Sequence, residues 1–137
     1  MLFRSSVGPG ELDSRAHPDK HRAVSIATLR VPSTDGVDLA LHDFGGTGPS
    51  ILLCHATGFH GRAYAPFVRY LTDAYHVWAL DFRAHGASTP PADEYFTWAG
   101  MANDVLSAAS AVRAHDGLGE RPLLAIGHSM EIGRAHV

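Results

Sequence analysis

Leu124-Ala125-Ile126-Gly127-His128-Ser129-Met130 is an apolar run that passes into Gly-His-Ser without a polar spacer. With Leu123 the run is continuously apolar for only a few residues, which reads as a short strand buried on both faces. A serine two residues past such a strand can sit on a sharp, strained turn that exposes its Oγ above the sheet. This requires small neighbours two before and two after it. Gly127 meets the requirement and Glu131 does not. A Gly-x-Ser triplet alone is also an ordinary turn between a strand and a helix, so its meaning depends on what precedes it.

Two earlier runs, Ile51-Leu52-Leu53-Cys54 and Val77-Trp78-Ala79-Leu80, have the same solidly apolar character. Each leads into a polar segment. His55-Ala56-Thr57-Gly58-Phe59 follows the first, where backbone N–H groups can face a developing oxyanion. Asp81-Phe82-Arg83-Ala84-His85-Gly86-Ala87-Ser88 follows the second and is dense in groups that lock a loop by charge-assisted hydrogen bonds. Helical patterns separate the strands, one over residues 64–73 and one over 97–115. In the longer one Met101, Val105, Ala108 and Val112 recur at helical steps, Thr97 caps the start and Gly117 the end. This alternation predicts right-handed crossovers, a parallel sheet and helices on its faces. All three polar segments then lie at the C-terminal ends of parallel strands, where open α/β sheets bind ligands.

Upstream, residues 23–31 and 37–44 alternate apolar and polar around Pro32-Ser33-Thr34-Asp35-Gly36, the pattern of a β-hairpin. Residues 1–22 mix Gly, Pro, Ser and charge without a period and read as an extended, poorly ordered leader. The composition excludes several classes of function. A net charge of −3 without blocks of like charge argues against nucleic acid as a partner. The apolar runs are too short to span a membrane, and the start does not read as a signal peptide. A single cysteine, Cys54, rules out a disulfide framework and makes a reducing, cytoplasmic compartment the expectation. The ten histidines and the carboxylates form no metal-site pattern, so neither a metal nor a cofactor is expected.

The three motifs in this order resemble the N-terminal half of an α/β-hydrolase fold of the serine-nucleophile, esterase- or lipase-like type, over residues 24–130. The predicted architecture is therefore α/β: a hairpin, then parallel strands with crossover helices, truncated at the nucleophile elbow. The resemblance implies Ser129 as the nucleophile, within Gly127-His128-Ser129-Met130-Glu131 where the family has Gly-x-Ser-x-Gly. It implies backbone oxyanion donors at Thr57, in His55-Ala56-Thr57 where the family has His-Gly-x, and at Met130. The family's Asp-x-Arg-Gly-His-Gly loop stands here as Asp81-Phe82-Arg83-Ala84-His85-Gly86, with alanine replacing one glycine, and it implies a structural rather than a catalytic role. A serine at the nucleophile position argues against the epoxide-hydrolase and haloalkane-dehalogenase branches. The implied partner is a small-molecule acyl substrate. Acyl transfer, cofactor-free haloperoxidase chemistry and a non-catalytic binding protein on the same scaffold stay open.

Serine catalysis needs a histidine base and an orienting carboxylate, which in this fold follow the serine in the order Ser, Asp or Glu, His. Only eight residues follow Ser129. His136 stands beyond a turn expected to lead into a helix directed away from the site, so it does not read as the base. His128 reads as a pocket or packing residue, and His55 and His85 as hydrogen-bonded loop residues. The chain alone is therefore expected to be inactive. Residues 131–137 read as a non-native tail, because Ile132-Gly133-Arg134-Ala135-His136-Val137 is the translation of ATC GGA AGA GCA CAC GTC, a common sequencing adapter. Residues 23–130 remain as the partial domain.

Overall fold

The structure is a computed structural model and describes residues 25–129. The expected leader, the expected tail and Met130 lie outside the described residues. The hairpin pairs β1 (Ala27–Pro32) with β2 (Asp38–Asp43) in antiparallel register, Leu29 opposite Leu41. Its turn has Asp35 at φ 61° and Gly36 at φ 71°, and Val37 N–H closes on the Thr34 carbonyl at 3.1 Å. An Asp-Gly pair accepts positive φ at both central positions, which matches the turn to the right-handed twist of the strands.

β3 (Ser50–Cys54), β4 (His76–Leu80) and β5 (Leu124–Gly127) are parallel, and the sheet order is β1-β2-β4-β3-β5. Strand periodicity divides the apolar runs between two cores. Leu52, Cys54, Trp78 and Leu80 pack with Ala108 and Val112 of α2 (Trp98–His115) on one face. Leu53, Val77 and Ala79 pack with Phe44 and with Val68 of α1 (Ala65–Val68) on the other. The chain moves from β3 outward to β4, then crosses back over β3 to β5. Such a reversal is where open α/β sheets place their ligand crevices, here between the loops after β3 and β5 at the C-terminal ends of the strands.

α2 follows its sequence signals closely. Thr97 Oγ1 accepts from Gly100 N–H at 2.9 Å. At the other end Leu118 N–H reaches the Arg113 carbonyl at 3.0 Å and Gly117, at φ 57°, reaches Ala114 at 3.4 Å, a Schellman arrangement.

Two expectations need correction. The helix predicted over 64–73 is a 3₁₀ turn, Gly61–Tyr64, followed by the single turn of α1. Beyond it three-residue bonds (Tyr70 to Phe67, Leu71 to Val68, Ala74 to Leu71) alternate with four-residue ones (Thr72 to Val68, Tyr75 to Leu71), and the chain continues as turns rather than helix. Val68, Tyr70 and Thr72 are poor helix formers, and of the residues in 65–74 only Val68 is buried, so packing does not override propensity. The second correction concerns β5, predicted to be buried on both faces. It is exposed, with Leu124 at 41% of its full accessibility, because among the described residues it is an edge strand paired only with β3.

Candidate active site at the C-terminal ends of the parallel strands

Cys54 and Gly127 are register partners in β3 and β5, and His128 N–H bonds the Cys54 carbonyl at 3.1 Å as the final rung. Directly after that rung, Ser129 adopts φ 63° and is exposed to solvent. A non-glycine residue in this region is uncommon and carries a strain of about 1–3 kcal/mol. Thr57 occupies an exposed turn after β3, where Phe59 N–H closes on the Ala56 carbonyl at 3.0 Å and Gly58 has φ 80°. Ser129 and Thr57 thus follow adjacent parallel strands at the same end of the sheet.

A tyrosine links these two segments. Tyr64 Oη accepts from Ala56 N–H at 3.2 Å and lies 2.6 Å from His128 Nδ1. The His128 ring packs edge-on against Phe59 and Tyr64, at centroid distances of 6.0 and 5.9 Å.

The loop after β4 is fixed by buried charge. Asp81 Oδ1 accepts from Gly61 N–H at 2.6 Å, and Oδ2 accepts from His42 Nε2 and Ala87 N–H, each at 2.9 Å. Burial opposes ionisation of this carboxyl, but the donors from His42, Ala87 and Gly61 outweigh it, leaving its pKa below the ordinary carboxylate value. Ser88 joins the loop to the sheet, donating to the Asp81 carbonyl at 2.6 Å and accepting from Ala40 N–H at 2.8 Å. Arg83 is fully buried. Its Nε and a terminal nitrogen each donate to Asp104 at 2.9 Å, and the other terminal nitrogen donates to Asp35 at 2.8 Å. The Asp104 hydrogen bonds hold the guanidinium pKa above its ordinary value, although burial pulls it down. Close packing leaves no room for side chains here: a Cβ on Gly86 would collide with the Asp81 carboxylate, and one on Gly100 with the Arg83 guanidinium.

His55, His42 and His85, near this end, each have hydrogen-bond partners. His55 is buried, its Nδ1–H donating to the Ala56 carbonyl at 2.8 Å and its Nε2 accepting from Phe82 N–H at 3.1 Å. Burial lowers its pKa and keeps it neutral. The His42–Asp81 pair resembles one that orients a catalytic imidazole, but both side chains are 1% exposed and Thr28 Oγ1 occupies His42 Nδ1 at 2.9 Å. His85 Nδ1 meets the Arg83 carbonyl at 2.9 Å.

Sequence reasoning missed Asp104, His42 and Tyr64. Asp104 carried a signal, since it falls on the same helical stripe as Met101, Val105 and Ala108, and a carboxylate on a buried face needs a cation. A cleft of about 610 Å³ lies at the opposite, N-terminal ends of the strands, lined in part by Ser50, His76, Asp116 and Arg121. The Asp116 carboxylate there is bonded to Ser50, Trp78 and His115, a structural arrangement away from Ser129. Among the described residues no cluster is arranged to hold a metal ion, and no helix is long and apolar enough to cross a membrane.

Comparison with known proteins places this geometry in context. Residues 51–130 match the sequence model of the alpha/beta hydrolase family. A pimeloyl-[acyl-carrier protein] methyl ester esterase of Methylococcus capsulatus is 42% identical over 48 residues, 35% of this chain and 19% of that protein. The Cif epoxide hydrolase of Acinetobacter nosocomialis superposes with a TM-score of 0.66 at 19% identity, over 83% of this chain and 33% of that one. Potato epoxide hydrolase I gives 0.65 at 22%, over 77% and 33%. A membrane phospholipase A described as a bacterial virulence factor gives 0.62 at 30%, over 77% and 32%. The chain thus spans about a fifth of the curated relative (19%) and about a third of these solved structures.

Proposed function

The chain belongs to the alpha/beta hydrolase family, and on that premise we propose that Ser129 is the nucleophile of a serine hydrolase acting on an ester or related acyl compound. The observation that carries this reading is the backbone of Ser129, held at φ 63° immediately after β5 and open to solvent. In the reaction Ser129 Oγ bonds to the acyl carbon while its proton passes to a histidine. The collapse of the tetrahedral intermediate breaks the bond to the leaving alcohol, which takes that proton. Water then releases the acid. Backbone N–H groups of Thr57 and Met130 stabilise the oxyanion, a donor of this kind being worth about 2.7–4 kcal/mol.

We place the base and its carboxylate in chain that follows Ser129, on the family's order of Ser, Asp or Glu, His, and His42 and His55 already have both ring nitrogens engaged. The 137-residue chain is therefore inactive by itself, and the enzyme it comes from works on a small-molecule acyl substrate in the cytoplasm. An esterase among the relatives supports ester chemistry. The epoxide hydrolases share the fold, but serine rather than aspartate at the nucleophile position favours an acyl-enzyme here.

The same reading makes residues 131–137 foreign to the gene. Glutamate at 131 would crowd Gly127 and set a carboxylate near the hydroxyl that must lose its proton. Reading the source locus past the Met130 codon tests both points. The expected result is a glycine or alanine codon, an apolar-periodic helix, and downstream an Asp or Glu and a His. A bulky codon followed by Ile-Gly-Arg-Ala-His-Val and a stop would overturn them. Competition between water and alcohols for the acyl group separates hydrolysis from acyl transfer.

A further inference from the structure

We propose that the Tyr64 hydroxyl is a positioning group that pins the loop after β3 to the turn after β5 and holds His128 as its Nε2–H tautomer beside Ser129. The inference rests on the reading of Ser129 as the nucleophile and on the relative donor and acceptor strengths of a phenol and an imidazole. Ala56 N–H can only donate, so at 3.2 Å it occupies a lone pair of Tyr64 Oη. Oη keeps a second lone pair, but a phenol is the stronger donor and an imidazole nitrogen the stronger acceptor, so at 2.6 Å the phenolic proton goes to His128 Nδ1. A neutral imidazole that accepts at Nδ1 carries its own proton on Nε2.

Two consequences follow. The segment bearing Thr57 and the segment bearing Ser129 are joined through one oxygen atom, so their relative placement depends on Tyr64 in addition to the strand pairing of Cys54 with Gly127. His128, although adjacent to Ser129, is kept from acting as its base: one nitrogen is protonated, and the lone pair of the other is occupied by the tyrosine proton. Phe59, edge-on to His128 at 6.0 Å and 6.2 Å from the Tyr64 ring, braces the arrangement from the solvent side. The exposed ring then offers a donor at Nε2 and no acceptor.

The test is nuclear magnetic resonance of the 137-residue chain carrying ¹⁵N-labelled histidine, at a pH where His128 is neutral. Wild type should show His128 with a pyridine-type Nδ1 and a pyrrole-type Nε2. Tyr64→Phe keeps the ring and removes the hydroxyl. It should give nitrogen shifts averaged between tautomers and about fivefold faster exchange of the Ala56 amide. A role limited to ring packing would move neither signal. Mixed tautomers or an Nδ1–H form in wild type would overturn the proposal, as would a folded Tyr64→Phe protein with unchanged His128 and Ala56 signals. The wild-type tautomer decides the matter if the variant fails to fold. Neither readout uses the reactivity of Ser129, so Ser129→Ala should retain both signals. A Ser129 that stays unreactive in the protein expressed from its source locus would remove the hydrolase reading without altering them.

Discussion

The loops after β4 and β5 emerge at the same end of one sheet and are built in opposite ways. The loop after β4 is buried and saturated. Asp81 receives three donors, and Arg83 reaches from α2 to the hairpin turn through Asp104 and Asp35. The turn after β5 is exposed, follows a strand that is an edge among the described residues, and holds Ser129 in a strained conformation. With Ser129 as the proposed nucleophile, the difference is that between a frame and a working part. Polar groups used for structure are satisfied, whereas a reactive hydroxyl has to be left accessible and can be held in strain only if neighbouring structure determines its backbone.

The largest effect expected from this contrast comes from Asp104→Ala. It leaves the buried Arg83 guanidinium without its main partner, and urea unfolding should show a loss of about 3–5 kcal/mol. A loss below 1 kcal/mol would mean that the frame does not depend on this pair. Next, the same truncation should have unequal costs at neighbouring positions of paired strands. Leu52→Ala in β3, where the side chain is 1% exposed, should cost about 2–5 kcal/mol, and Leu124→Ala in β5 less than about 1 kcal/mol. Equal losses would show that the edge of β5 is covered in solution.

Asp81→Asn should cost about 1–3 kcal/mol at neutral pH, because its amide keeps one acceptor oxygen and turns its NH2 on either the Gly61 or the Ala87 N–H, which bond different carboxylate oxygens. The sign of the pH dependence follows from the depressed pKa of Asp81 in the folded protein. Its contribution is present above the unfolded carboxyl pKa of about 3.9 and is lost as pH falls through the lower folded value. The difference between wild type and Asp81→Asn should therefore shrink in acid, and a gap that widens below pH ~4 would contradict the assignment. The smallest effect concerns Ala84, which stands at φ 57° where the resembling family has glycine. Ala84→Gly should stabilise by about 0.5–1 kcal/mol, relief of the left-handed conformation exceeding the added entropy of the unfolded chain. A destabilisation in thermal melts would show that this position is not strained.

The strands, the hairpin and both caps of α2 were legible in the sequence because each rests on local chemistry: apolar runs, an Asp-Gly turn, a Thr cap and a Gly stop. The placement of Ser129 after β5 was legible for the same reason. The shortening of the 64–73 helix was not, because periodicity records which residues are apolar and not whether a partner surface reaches them. Burial of β5 failed as an expectation on similar ground, since an apolar run does not specify what packs on it. Tyr64 carried no local signal at all. Its partners, Ala56 and His128, lie 8 and 64 residues away and meet only through the crossover that brings β5 beside β3.

The account's central claim, that Ser129 is an activated nucleophile in the enzyme this chain comes from, is most directly tested by treating the protein expressed from its source locus with a fluorophosphonate and mapping the adduct by mass spectrometry. The account predicts a phosphonyl group on the peptide bearing Ser129, lost in Ser129→Ala, with the 137-residue chain unlabelled. An adduct on another residue, or ester turnover that survives Ser129→Ala, would contradict it.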